Sequence, residues 1–110
     1  MFLAEHSGEL VGVVRLAREH ETLVLRGMRV HSRLQRQGIG RRLLETLGRE
    51  IGDERCYCIP FRWLVGFYGE IGFQEIEVTD VPPFLAQRCA GYLEKGQNVV
   101  VMRREGRTMR

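Results

Sequence analysis

The feature that most constrains this chain is the loop from Gln35 to Gly40, written QRQGIG, which joins an apolar strand to an amphipathic helix. Upstream, residues 23–30 (LVLRGMRV) have the composition of a buried strand. Downstream, apolar residues recur at helical spacing, at Ile39, Leu43, Leu44, Leu47 and Ile51. The loop therefore ends where a helix begins.

Two glycines, Gly38 and Gly40, stand at this predicted helix start. The first backbone N–H groups of a helix have no intrahelical partner, and the helix dipole adds partial positive charge there. Because glycine has no Cβ, an anion can approach the main chain closely. The loop adds further donors, from Gln35, Arg36, Gln37, Arg41 and Arg42. The sequence therefore predicts a site for a pyrophosphate group.

Two motifs in this order resemble those of the GNAT superfamily of N-acetyltransferases. Gln35-x-x-Gly38-x-Gly40 is similar to the superfamily's acetyl-CoA signature of Arg or Gln, two residues, Gly, one residue, then Gly or Ala. Residues 67–73 (FYGEIGF) are similar to its aromatic-Tyr-x-x-x-Gly-Phe segment. The resemblance covers about residues 2–72 and, more loosely, Arg103.

The resemblance implies an α/β fold with a central mixed, mostly antiparallel sheet flanked by helices. Two splayed parallel strands would form the acetyl-CoA cleft, and the acetyl group would pass to a primary amine, which is a small molecule or a peptide. Direct attack in a ternary complex is expected, because no residue stands out as a covalent acyl carrier. The implied cofactor-binding residues are the backbone of Met28 and Val30, the loop residues Gln35, Arg36, Gln37, Gly38, Ile39, Gly40 and Arg41, and Tyr68.

Tyr68 is the candidate catalytic side chain. A phenol within hydrogen-bond reach of the sulfur can donate a proton to the departing thiolate. An aromatic residue beside Phe67 and Trp63 is also typical of core packing, so a packing role is the alternative.

The general base stays open. Many superfamily members carry a Glu on the strand before the glycine loop, but the nearest carboxylate here is Glu21, at the beginning of that strand. His31 has a pKa suited to proton transfer near neutral pH, and a water relay to solvent is equally compatible. The Asn that is frequent after the next strand is replaced by residues 59–62 (IPFR).

Composition indicates one soluble domain over residues 1–110. The formal charge of +3 is modest, and basic residues cluster in residues 26–49 and 103–110, which favours a local anion site over a nucleic-acid surface. No apolar run approaches the ~20 residues of a membrane span. The N-terminus lacks the pattern of a signal peptide, so a cytoplasmic protein with reduced thiols is expected. Cys56 and Cys58 read as buried thiols rather than metal ligands, because no further Cys or His stands at ligand spacing.

The remaining elements follow from turn signals and periodicity. The predicted elements are an antiparallel hairpin of 1–4 and 10–16, a turn at 18–21, a strand at 55–59 parallel to 23–30, a helix at 61–69, a strand at 73–78, a helix from Pro82-Pro83 to Gly96, and a last strand at 98–102. The helix has Phe84, Leu85, Arg88, Cys89, Tyr92 and Leu93 at helical spacing. Residues 103–110 are predicted to form a polar, frayed tail.

The superfamily's usual strand and helices before the first hairpin are absent from this sequence. This difference is compatible with a reduced variant, with a truncated chain, or with a site completed by another protomer. A homodimer is the simplest way to cover the exposed sheet edge. A non-catalytic acyl-CoA-binding module is the main functional alternative, and a nucleic-acid-binding domain is a weaker one.

Overall fold

A computed structural model describes residues 2–6, 9–30 and 40–106, without the side chains of 4–6, 9–11 and 28–30. Its strands are β1 (Phe2–His6), β2 (Glu9–Glu19), β3 (Thr22–Val30), β4 (Cys56–Cys58), β5 (Phe73–Ile76) and β6 (Val101–Arg104), and its helices are α1 (Arg41–Ile51), α2 (Val65–Gly69) and α3 (Pro83–Glu94). In these residues the strands form one sheet in the order β1-β2-β3-β4-β6-β5. Every described pair is antiparallel except β3 with β4, which confirms the predicted fold class.

The opening meander is confirmed, with a longer second strand than expected. β2 continues to Glu19, and the turn into β3 contains only His20 and Glu21. Both turn residues have positive φ, at 51° and 62°. Positive φ at both central residues gives the turn a twist that matches the flanking strands.

The two faces of the sheet bury different helices, as the alternation of strand side chains requires. Leu23 and Leu25 of β3 pack with α1 and α2 on one face, called here the α1 face. Val24, between them, packs toward Leu85 of α3 on the opposite face, called here the α3 face. Cys56 and Cys58 point to the α1 face as buried free thiols.

The C-terminal strand lies later than the sequence predicts. The predicted strand 98–102 is observed as β6 at Val101–Arg104, and Val99 contributes only an isolated bridge to Phe61. The start of the predicted frayed tail is therefore paired strand. Arg104 donates from Nε to the carbonyl of Ile71 at 2.6 Å and from Nη1 to that of Gly52 at 2.7 Å, which ties two turns to the sheet.

Two further expectations differ from the structure. The predicted helix 61–69 begins as a 3-10 turn, Arg62–Leu64, before α2. In α3, Leu85 and Cys89 are buried as the helical spacing predicts, but Leu93 is 52% exposed. Leu93 lies in the last turn of α3, next to the Gly96 stop at φ 84°, where the helix leaves the sheet.

Candidate active site

The parallel strands β3 and β4 separate at their carboxyl ends. Leu23 to Leu25 pair with Cys56 to Cys58, and the pairing stops there. The chain after Cys58 instead bonds to its other neighbour, with the Arg62 N–H donating to the Asn98 carbonyl at 2.8 Å. A seam therefore opens in the sheet between residues 26–30 of β3 and residues 59–61.

The structure places a β-bulge in β3 beside this seam. Val13 of β2 pairs with Arg29 and Val14 pairs with Gly27, which leaves Met28 as the extra residue of β3. A bulge bends its strand and re-aims the adjacent backbone groups. The predicted cofactor contacts of Met28 and Val30 were through the backbone, and both residues lie on this segment; the contacts themselves stay a prediction.

Helix α1 begins at the same end of the sheet, because it is the crossover between parallel strands β3 and β4. Gly40 is its N-cap, with φ −87°, and a glycine has no side chain with which to cap the helix start. The Gly40 carbonyl accepts the first helical bond, from Leu44 N–H at 2.9 Å. Arg41 and Arg42 are exposed at this start.

Several predicted site residues lie outside the described part of the chain. They are His31, Gln35, Arg36, Gln37, Gly38 and Ile39. Of the predicted glycine loop, the structure therefore places Gly40 and Arg41 alone.

Tyr68 lies in α2 on the α1 face and is 2% exposed. Its ring makes edge contacts with Phe67 at 5.1 Å and Phe73 at 6.0 Å between centroids. Burial, with a smaller contribution from Cys58, raises the pKa of the Tyr68 phenol above its ordinary value. Tyr68 lies near Cys58, which is the last residue of β4 that pairs with β3. The Tyr68 phenol, still protonated, therefore lies close to the point where the seam begins.

A cavity of about 360 Å³ opens along the seam on the side of α3. Its lining comprises Val24, Leu25, Arg26, Gly27, Ile59, Phe61, Arg88, Tyr92, Gln97 and Val99. The volume is in the range of small-molecule sites. Helix α1 packs on the opposite face of the sheet and begins at the same end of the seam.

Sequence reasoning missed this cavity and its charged residues. Arg26 is one of two charged residues in residues 23–30, and its charge was the one available signal. Its ion-pair partner Glu19 is 7 positions away, but Glu19 also binds Arg88, which is 69 positions from it. No local pattern predicts such a contact.

The family comparison decides the classification. Residues 1–75 match the family model described as an acetyltransferase (GNAT) domain. The chain belongs to the GNAT acetyltransferase family. The cofactor of this family is acetyl-CoA. Comparison with curated proteins finds no significant match.

Solved GNAT structures share the fold. N-acetylglutamate synthase from Neisseria gonorrhoeae, solved with coenzyme A and N-acetyl-glutamate, is 26% identical with a TM-score of 0.62, over 94% of this chain and 25% of that one. An acyl-CoA N-acyltransferase from Pseudomonas aeruginosa is 24% identical with a TM-score of 0.60, over 93% and 65%. Rv2747 from Mycobacterium tuberculosis, in complex with CoA and NLQ, is 20% identical with a TM-score of 0.61, over 94% and 74%. This GNAT chain therefore spans a quarter of the synthase and about two thirds of the acyltransferase.

The described residues fit the GNAT cofactor. A helix start with glycine as its N-cap and exposed arginines beside it suits phosphates, and an open strand edge suits an arm that carries amide groups. In the described ranges no helix is long and apolar enough to cross a membrane. Within those same ranges, His, Cys, Asp and Glu side chains form no group of three that could hold a metal ion.

The buried thiols give a prediction about pH. Burial raises the pKa of Cys56 to about 12 from an ordinary 9.0, and it raises that of Cys58 as well. As pH rises, the thiols of the unfolded chain therefore lose their protons at a lower pH than those of the folded chain. Their contribution to the free energy of unfolding is fully present below the ordinary thiol pKa and is lost above it. We expect the free energy of unfolding, measured by urea unfolding, to fall as pH rises through about 9 and to keep falling toward about 12. A flat profile would contradict the burial of these thiols.

Proposed function

We propose that this GNAT domain transfers the acetyl group of acetyl-CoA to the nitrogen of a primary amine by direct attack in a ternary complex. The observation that carries the proposal is the seam between β3 and β4, which has the start of α1 at its end and a cavity on the opposite face. Such a seam lets a thioester and an amine meet without a covalent enzyme intermediate.

One structural neighbour with more than 25% sequence identity supports nitrogen as the atom that accepts the acetyl group. The Neisseria gonorrhoeae protein is an N-acetylglutamate synthase, and it was solved with coenzyme A and N-acetyl-glutamate. For this chain, acetylation of nitrogen stays a proposal. Residence in the cytoplasm likewise stays a prediction from the sequence.

Three parts of the chain have roles in the proposed reaction. The backbone at the start of α1, with Gly40 and Arg41, binds the pyrophosphate of the cofactor. The open edge of residues 26–30 pairs with the amides of its arm and holds the thioester in the seam. As the new C–N bond forms and the C–S bond breaks, the Tyr68 hydroxyl donates its proton to the sulfur. The nitrogen loses a proton to solvent, and Tyr68 regains one from solvent before the next turnover.

A two-stage experiment tests the proposal. Calorimetry with coenzyme A comes first, and one equivalent is expected to bind. A panel of amines with acetyl-CoA follows, in which release of the free thiol should depend on the amine, with N-acetylated product seen by mass spectrometry. Absence of coenzyme A binding would overturn the proposal. Binding without turnover on any amine would instead support a non-catalytic acyl-CoA-binding module.

We also propose that two copies associate through the edge of the sheet formed by β1. In the described residues, β1 pairs on one side with β2, and Leu3 is 58% exposed. An unpaired strand edge is a surface on which a second sheet can add. Sedimentation at micromolar concentration is expected to show a dimer, and replacement of Leu3 by Lys should shift it to monomer. A monomer for the unchanged chain would overturn this proposal.

A further inference from the structure

The charged side chains that line the cavity are all positive. Arg26 from β3 and Arg88 from α3 both line it, and Gln97 adds a neutral amide. Among the described residues that line the cavity, none carries a carboxylate. An acceptor that carried only positive charge would be repelled here.

The two arginines are held in place by a single carboxylate. Arg88 Nη1 lies 2.8 Å from one oxygen of Glu19, and Arg26 Nη1 lies 3.4 Å from the other. The side chains of all three are partly buried, with exposed fractions of 20–34%. Arg88 also lies over the Phe84 ring, 5.6 Å from its centroid. These contacts fix the guanidinium groups before a ligand binds.

Glu19 does not neutralise this cluster. Arg15 lies directly opposite Arg26 in the β2–β3 register, so three guanidinium groups face one carboxylate. Burial raises the pKa of Glu19, but the hydrogen bond from Arg88 and the charges of Arg88, Arg26 and Arg15 outweigh it and lower that pKa. Even with Glu19 ionised, the group has a formal charge of +2. Each guanidinium has five N–H donors, so Arg26 and Arg88 keep donors beyond those that Glu19 accepts.

We propose that the acceptor is an amine that also carries a carboxylate, such as an α-amino acid, and that Arg26 and Arg88 bind the carboxylate. This inference rests on the proposed function, because it names the acceptor class of the same site. When the carboxylate of the acceptor binds the two arginines, its amine faces the seam, at the point where residues 25–27 of β3 line the cavity. The apolar wall of Val24, Ile59 and Val99 then receives the remainder of the molecule.

Matched pairs of ligands isolate the carboxylate. The probes are L-leucine, L-phenylalanine and L-glutamine, each compared with its α-carboxamide, by calorimetry in the presence of coenzyme A and by turnover with acetyl-CoA. At least one acid is expected to bind about 10- to 100-fold more tightly than its amide. The amide has the less basic amine, so a larger fraction of it is unprotonated near neutral pH, and a preference for the acid must come from the site.

Three variants locate the carboxylate contact. Arg88→Gln should remove most of the preference for the acid and leave coenzyme A affinity unchanged. Glu19→Gln keeps a side-chain oxygen that can accept a hydrogen bond from Arg88 but removes the negative charge that competes with the ligand carboxylate. Binding of the acid should therefore strengthen while binding of the amide stays unchanged, a gain that misfolding cannot produce. Arg18→Gln is the control, because Arg18 is exposed and pairs with Glu54 away from the cavity. It should change neither.

The outcomes separate the two proposals. Equal use of acid and amide, or no binding of any probe, would overturn the carboxylate site, even if amines are acetylated. Tight binding of the acid without any acetylation would support the carboxylate site and contradict the proposed transferase activity.

Discussion

Gly40→Val is expected to lower the affinity for coenzyme A by about 100-fold or more, because its side chain would stand between the helix-start amides and the pyrophosphate. The backbone itself accepts the change. Gly40 has φ −87° and ψ −4°, which a residue with a side chain adopts readily. Calorimetry measures the affinity, and thermal unfolding shows that the variant is folded.

Gly48→Ala is the matched control within the same helix. A Cβ at Gly48 would meet Ile71 Cγ2 at 3.9 Å, an ordinary contact, and alanine is the better helix former. The control should leave coenzyme A affinity unchanged and stabilise the fold by about 0.5–1 kcal/mol. If folded Gly40→Val binds as tightly as the unchanged protein, the pyrophosphate lies elsewhere.

Tyr68→Phe is expected to reduce turnover by about 100-fold while acetyl-CoA affinity changes little. Phenylalanine keeps the edge contacts with Phe67 and Phe73 and removes only the hydroxyl group. Since burial keeps the Tyr68 phenol protonated well above neutral pH, its loss removes a proton donor. Steady-state kinetics with an accepted amine, beside calorimetry with coenzyme A, measures both quantities.

Tyr57→Phe controls for removal of a phenol from the same sheet. Tyr57 is buried on the α3 face between the Cys56 and Cys58 positions and has no part in the proposed chemistry. Its variant should retain turnover. An unchanged rate in Tyr68→Phe would make Tyr68 a packing residue, which is the alternative that its neighbours already suggested.

The sequence predicted those features that depend on local periodicity. The alternation of residues 23–25 and the helical spacing from Leu43 to Ile51 determine which faces are buried, and the structure has both. The strand shift to Val101–Arg104 escaped prediction, because it depends on the partners of β6 rather than on its own residues.

The candidate site divides in the same way. Gly40 and Tyr68 belong to contiguous motifs that resemble those of the family, so the sequence alone was enough to propose them. The bulge at Met28 arises from the register of β2 against β3, and the cluster of Arg26, Arg88 and Glu19 arises from the docking of α3. Both are tertiary properties that a linear pattern does not encode.

The seam between β3 and β4 also bears on the kinetic order of the proposed reaction. A reactant that enters from the α1 face and one that enters from the α3 face do not cross each other's path. If the thioester enters from one face and the amine from the other, we expect no compulsory order of binding or of product release. The expected kinetics are intersecting initial-velocity lines, as for a ternary complex, together with product inhibition that shows no compulsory order.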